Sequence, residues 1–267
     1  MSKLYVLGTG HALVTEIYNS CFALEENGDF FFLDAGGGNG VLSVMKKMEI
    51  SLKRVRALFI SHEHIDHLLG SVWIVRAVAD AMIRGEYQGD FSIYAEIKLL
   101  EKLKTICELT LRGLETALFG IRILLCPVSD GQKAHILSYE TQFFNVRSPQ
   151  LTQFGCKIWL PSGKTISYMG DEPFHEENWK YVFKSNWLIA EALCMEKDKD
   201  IYKPHRISHG TVKDTCVAAR SLEVENLVLT HTEDTHGEMR KVLYTTEGKE
   251  YYLGNLFIPN DREIIEL

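Results

Sequence analysis

Four apolar runs in this chain each stop at a side chain able to bind a metal ion: FFFL before Asp34, ALFIS before His62, ISYMG before Asp171 and LVLT before His231. Ligands tend to sit where strands of a sheet run out into loops along one edge. Four such ends favour folds in which several strands finish around one site. The richest end reads SHEHIDHLLG, residues 61–70, and holds three of the chain's ten histidines, with Asp66 between the second and third. Alternate residues of an extended loop point the same way, so His62 and His64 are expected to share one ion. Asp66 and His67 then face a neighbouring ion, and the two oxygens of Asp171 can bridge the pair. Imidazole with carboxylate suits Zn²⁺, and also Fe or Mn. Two such ions ~3.5–4 Å apart bring the pKa of a bound water to about 7 and stabilise both attacking and leaving oxygens, which is hydrolytic chemistry.

Composition sets the bounds. At 267 residues, 46% hydrophobic and 24% charged, the chain has the make-up of a soluble globular protein and is expected to form a single domain spanning 1–267. A net charge of −7 argues against a broad basic surface for gripping nucleic acid. The six cysteines are scattered with no C-x-x-C pair, and the opening MSKLYVLGTGHALV does not read as a signal peptide. With no 18-residue apolar stretch, the expectation is a cytoplasmic protein with reduced, buried thiols and no membrane partner.

Strand-like runs meeting turn signals open the chain: KLYVLGTG, SCFALEE and FFFLDAGGG. Gly36-Gly37-Gly38 is not followed by Lys-Ser/Thr, so it reads as a turn passing close to a site rather than a phosphate-cradling loop. VLSVMKKM, LLGSVWIVRAVADAMIR and AEIKLLEKLKTICELTL have helical spacing of apolar residues. IRILLCPV, HILSYETQFFNV, CKIWLPSGKTISYMGDE and WLIAEAL read as further strands, with a hairpin turn at Ser162-Gly163. TVKDTCVAARSLEV is a helix whose Thr211 and Asp214 have capping-box spacing, and it leads into the strand NLVLTHTED. Strands and helices thus recur in two similar runs, which suits two sheets covered by helices.

The motif His62-x-His64-x-Asp66-His67 resembles the hallmark of the metallo-β-lactamase-fold hydrolases, and the other motifs follow in family order along nearly the whole chain. VLGTG opens it, LDAG supplies Asp34, GDE the bridging Asp171 and LTH the late ligand His231. Within that superfamily the sequence is most similar to the ribonuclease Z-like phosphodiesterases. The resemblance implies that Glu191 in LIAEAL and His209 in His209-Gly-Thr211 act as a pair that helps protonate the leaving oxygen. It departs from the family in one place. After FFNV the family expects a third histidine for the first metal, and this chain reads RSPQLTQFG, with Arg147 at that position. Arg147 has two readings, a clamp for an anionic substrate or a side chain turned into solvent.

These observations set the expectations. The fold is a four-layer αββα sandwich of two mixed sheets with outer helices. The function is a metal-dependent hydrolase, with phosphodiesters as the preferred class and metal-bound hydroxide, positioned by Asp66, as nucleophile. Metal ligands are His62, His64, Asp66, His67, Asp171 and His231; Asp66, His209 and Glu191 are catalytic; Asp34 either braces its loop or, the preferred reading, holds a ligand imidazole through that ring's free N–H. Two Zn²⁺ per chain are expected, the first site being the weaker. The partner is a small anionic or nucleotide-like substrate; nucleic acid stays open and a homodimer is compatible. Lactone, thioester or β-lactam hydrolysis on the same fold, and a binding or sensor protein that lost catalysis with the missing histidine, are the alternatives.

Overall fold

In the computed structural model, which describes residues 2–267, the run DFFFL forms a strand buried on both faces, and the chain divides into two compact units. The first unit comprises residues 2–8, 18–128 and 261–267. Its strands are β1 (Lys3–Gly8), β2 (Cys21–Glu26), β3 (Asp29–Leu33), β4 (Val55–Phe59), β5 (Phe91–Ala95) and β6 (Ile123–Pro127), with a closing strand, Glu263–Glu266, paired to β1. The sheet runs closing strand–β1–β2–β3–β4–β5–β6, antiparallel up to β3 and parallel from β3 onward. Its helices are α1 (Gly40–Lys47), α2 (Ile65–Ile83), α3 (Ile97–Thr110) and α4 (Gly113–Thr116).

Phe30 and Phe32 of β3 join one core cluster with Val41 and Met45 of α1 and with Leu68, Ile74, Val75, Val78 and Met82 of α2. The intervening Phe31 and Leu33 are fully buried as well. Burial on both faces is what a parallel strand demands, and each such side chain contributes roughly 1.5–3 kcal/mol on leaving water. The buried positions of α2 recur every three or four residues, as the sequence spacing predicts. In α3, Glu96 caps the first turn by accepting from the amides of Lys98 at 2.7 Å and Leu99 at 3.1 Å.

The second unit comprises residues 9–17 and 129–260. It contains β7 (Lys133–Ile136), β8 (Tyr139–Asn145), β9 (Phe154–Trp159), β10 (Thr165–Tyr168), β11 (Trp187–Glu191), β12 (Asn226–Thr230) and β13 (Asn255–Phe257), in that order across the sheet. Its helices are α5 (Trp179–Val182), α6 (Lys199–Tyr202), α7 (Val212–Ser221) and α8 (Arg240–Tyr251). The pairings are antiparallel up to β10 and parallel from β10 onward, so the second sheet repeats the strand pattern of the first. The hairpin turn between β9 and β10 carries Gly163 at φ 84, as its Ser-Gly pair predicts. Thr211 and Asp214 form the capping box of α7. The sequence reading assigned no element after Asp234; α8 and β13 fill that stretch. None of the six cysteines is in a disulfide, and no helix among the described residues is long and apolar enough to cross a membrane.

Candidate metal centre

In the first unit the site grows from the ends of β3 and β4. Parallel pairing sets Leu33 against Phe59, so Asp34 and Ser61 emerge side by side. The Asp34 amide donates to the Phe59 carbonyl at 2.8 Å, and Asp34 Oδ1 accepts from the Ser61 amide at 2.7 Å. Asp34 sits in the left-handed region at φ 54, a conformation that costs a non-glycine residue about 1–2 kcal/mol and that turns its carboxylate back into the unit. The loop beyond is pinned to α2. A Cβ on Gly70 would lie 1.8 Å from the Ala35 carbonyl oxygen, so only glycine allows that approach, and the Gly70 amide donates to Gly36 at 2.8 Å.

Fully buried, Asp34 sets the protons of two imidazoles. Its Oδ2 accepts from His67 Nδ1 at 2.8 Å and from the Ser61 hydroxyl at 2.6 Å. Ser61 has then spent its hydrogen, so its oxygen accepts from His62 Nδ1 at 3.0 Å. Both imidazoles consequently carry their lone pair on Nε2. Burial alone would raise the Asp34 carboxyl, but His67 beside it, with His62 and Ser61, brings it below its ordinary value. His62 Nε2 stands 3.0 Å from His64 Nδ1, and His67 Nε2 stands 3.4 Å from Asp66 Oδ2, at the first turn of α2.

The second unit gathers its candidates at the ends of β10, β11 and β12. Asp171 follows β10, Glu191 ends β11, and His231 follows β12 in the left-handed region at φ 54. His231 Nε2 is 3.5 Å from Asp171 Oδ2, and the ligand atoms of Asp171, His209 and His231 all lie within 4.8 Å of one another. His209 Nδ1 donates to the Asp171 carbonyl at 3.0 Å, which leaves the lone pair of this ring on Nε2 too. Burial lowers His209 to about 4, with His231 acting in the same direction and Asp171 opposing. Glu191 is buried, and its Oε1 accepts from the Gly210 amide at 2.6 Å, one residue past His209. Burial pushes the Glu191 carboxyl well up; the Gly210 amide opposes this and Asp171 adds to it. Its Oε2 is 3.7 Å from His209 Nδ1.

Arg147 is exposed, and its guanidinium pairs with Asp130 at 2.7 Å. The residue of that segment that reaches Asp171 is Gln153, buried, which donates its side-chain amide to Asp171 Oδ1. The sequence reading missed Gln153, as it missed Arg240, which is buried at the start of α8. Arg240 Nη1 donates to Thr232 Oγ1 at 2.8 Å, and Nη2 donates to the Pro259 carbonyl at 2.6 Å, fixing the loop beside His231. Only a helix-start arginine after the LTH motif signals it. His11 lies 6.1 Å from His231 ring to ring.

The donor set fits a metal ion. Two ligands about 2.1 Å from one tetrahedral ion stand about 3.4 Å apart. The Asp66–His67 pair in one unit and the Asp171–His231 pair in the other both match that spacing. With Nδ1 protonated on His67, Nε2 and the Asp66 carboxylate present two lone pairs to each other, an arrangement that a shared cation relieves.

Comparison with known proteins follows the same lines. The sequence profile of the family described as Anti-Pycsar protein Apyc1 matches residues 2–243. A ribonuclease Z of Ignicoccus hospitalis is 26% identical over 284 residues, covering 91% of this chain and 91% of its own. The metallo-β-lactamase fold protein YhfI from Bacillus subtilis aligns with TM-score 0.79 at 18% identity, over 100% of this chain and 99% of that one. Human tRNase Z, short form, aligns with TM-score 0.76 at 19% identity, over 99% and 98% of the two chains. These structural likenesses establish the metallo-β-lactamase fold, with two mixed sheets and flanking helices as expected.

Proposed function

The chain belongs to the Anti-Pycsar protein Apyc1 family and is a ribonuclease Z-like metal-dependent hydrolase, and from that premise we propose that it hydrolyses phosphodiesters of small, nucleotide-like substrates at a two-ion centre. In this reading His62 and His64 would hold one ion and Asp66, His67 and His231 the other, with Asp171 as a ligand shared by both, and the chain would act as one catalytic domain. When bound, the ions supply an activated water and neutralise charge on the phosphoryl group. The observation that most supports the reading is the pair of proton relays from Asp34, which hold His62 and His67 in the tautomer a metal requires.

The chain's own residues have distinct parts. Asp66 orients the attacking water. Asp34 keeps Nε2 of His62 and His67 free of protons. Glu191 holds the Gly210 amide and thereby seats the His209 ring, whose Nδ1–H is already engaged with the Asp171 carbonyl. His209 Nε2 is the atom that passes a proton to the leaving oxygen; an anionic phosphodiester beside the ring favours the imidazolium that burial disfavours. The net charge of −7 and the side chain of Arg147 paired with Asp130 favour a small substrate over an extended polyanion.

Elemental analysis of the purified protein together with a hydrolysis screen over phosphodiester, lactone and thioester substrates tests the reading. Two equivalents of metal and phosphodiester turnover are expected. Lactone or thioester hydrolysis without phosphodiester turnover assigns the chain to another hydrolase class, and metal binding with no turnover at all assigns it to a sensor.

A further inference from the structure

We propose that the carbonyl oxygen of Gln153 is a protein ligand to the ion carried by Oδ1 of Asp171, in the place where the resembling family has a histidine. The inference rests on the two-ion reading above. The two oxygens of Asp171 face different neighbours: Oδ2 lies 3.5 Å from His231 Nε2, whereas Oδ1 receives the Gln153 amide. Gln153 therefore marks the side of the bridging carboxylate that serves the other ion.

The chain path explains why this residue, and not Arg147, fills the position. Arg147 adopts φ 69, its amide donates to Asn145 Oδ1 at 2.7 Å, and its guanidinium is drawn to Asp130. The Val146 amide donates to the Gln153 carbonyl at 3.0 Å, closing residues 147–152 into an outward loop. Counting from β8 thus lands on Arg147, while in space the loop is skipped and Gln153 comes next to Asp171, 2% exposed.

A carboxamide presents a donor and an acceptor of nearly equal size, and half a turn about its last torsion exchanges them. With a cation on Asp171 Oδ1 the NH₂ end is repelled and the oxygen end attracted. Two oxygens bound at about 2.1 Å to one six-coordinate ion stand about 3 Å apart, so rotation of the carboxamide brings its oxygen within reach of an ion on Asp171 Oδ1. A neutral amide oxygen is a harder and weaker donor than imidazole. The ion it serves should be exchangeable and should tolerate Mn²⁺ better than an all-nitrogen site would.

The test is metal binding by the full chain, measured as equivalents retained after equilibration with Mn²⁺ or Zn²⁺ and gel filtration, with Mn²⁺ also followed by electron paramagnetic resonance. The unmodified protein should bind two equivalents of either metal. Gln153→Ala should weaken one of the two at least tenfold, and Gln153→His should restore it with Zn²⁺ favoured over Mn²⁺. Were the amide only a proton donor competing for Oδ1, Gln153→Ala would bind as tightly or more tightly, and that result overturns the proposal. Gln153→Met, which keeps the side-chain volume, gives the same discrimination if the alanine variant unfolds. Two equivalents in every variant at unchanged affinity refute the role of Gln153 alone; fewer than two in the unmodified protein refute it together with the two-ion reading.

Discussion

Asp34 Oδ2 accepts a hydrogen bond from His67 Nδ1 at 2.8 Å while the same oxygen receives the Ser61 hydroxyl that orders His62. One carboxylate thus governs the lone pairs of two imidazoles. Asp34→Asn keeps the size of the side chain but offers an NH₂ group to one of its partners. Metal affinity should fall by about 10–100-fold, as for other carboxylates that orient ligand histidines. Competition with a chelator followed by elemental analysis measures it, and unchanged retention would show that Asp34 merely braces the loop.

His209→Ala should leave metal content unchanged and lower phosphodiester turnover by on the order of 10²–10⁴-fold, the usual contribution of a general acid. The loss should shrink on nitrophenyl esters, whose leaving groups need little protonation. An equal loss on every substrate would make His209 a structural residue.

The same histidine shapes stability of the metal-free protein. Its folded value falls from 6.5 to about 4, so between those values the unfolded chain binds the proton more tightly. The stabilisation from keeping the ring neutral is therefore complete above about 6.5 and is lost as pH falls toward 4; the difference amounts to on the order of 3 kcal/mol. Glu191 is raised and opposes this, losing its contribution as pH rises. Chemical denaturation of the unmodified protein and of His209→Gln across this window separates the two: the variant should show the shallower decline on acidification. Parallel pH profiles would contradict the assignment.

Gly70→Ala should destabilise the protein by roughly 1–3 kcal/mol or more, since its Cβ would sit 1.8 Å from the Ala35 carbonyl oxygen and 2.9 Å from that of Gly36. Because Ala35 follows Asp34, the same substitution should also loosen metal. A thermal melt and a chelator assay report the two effects, and an unchanged melting temperature would mean that the loop yields freely.

Much of this was legible in the sequence where local chemistry and burial agree. The runs before Asp34, His62, Asp171 and His231 form β3, β4, β10 and β12 because each buries mainly apolar or aromatic side chains, and Thr211 with Asp214 caps α7 as their spacing requires. What lay outside reach depended on the path of a loop or on a weak period. Gln153 is a neutral side chain whose place beside Asp171 follows from the closure between Val146 and Gln153. The helix α8 buries only Arg240, Tyr244 and Gly248 among twelve residues, too few to stand out by periodicity. Arg147 marks the limit of counting along a chain: its position matched the expected histidine in number, and its side chain pairs with Asp130.

The pairing of Lys3 with Glu266 and of Val6 with Glu263 joins residues far apart in the sequence in one antiparallel ladder. Until residues 263–266 have been synthesised, β1 has no partner on that side and presents a row of open amides and carbonyls, the kind of surface on which nascent chains associate. Completion of the first sheet thus waits for residues 263–266, although its other strands all precede residue 128. Such long-range closure slows folding. The second unit, whose strands β7 to β13 follow one another along the chain, needs no such distant segment to form its sheet.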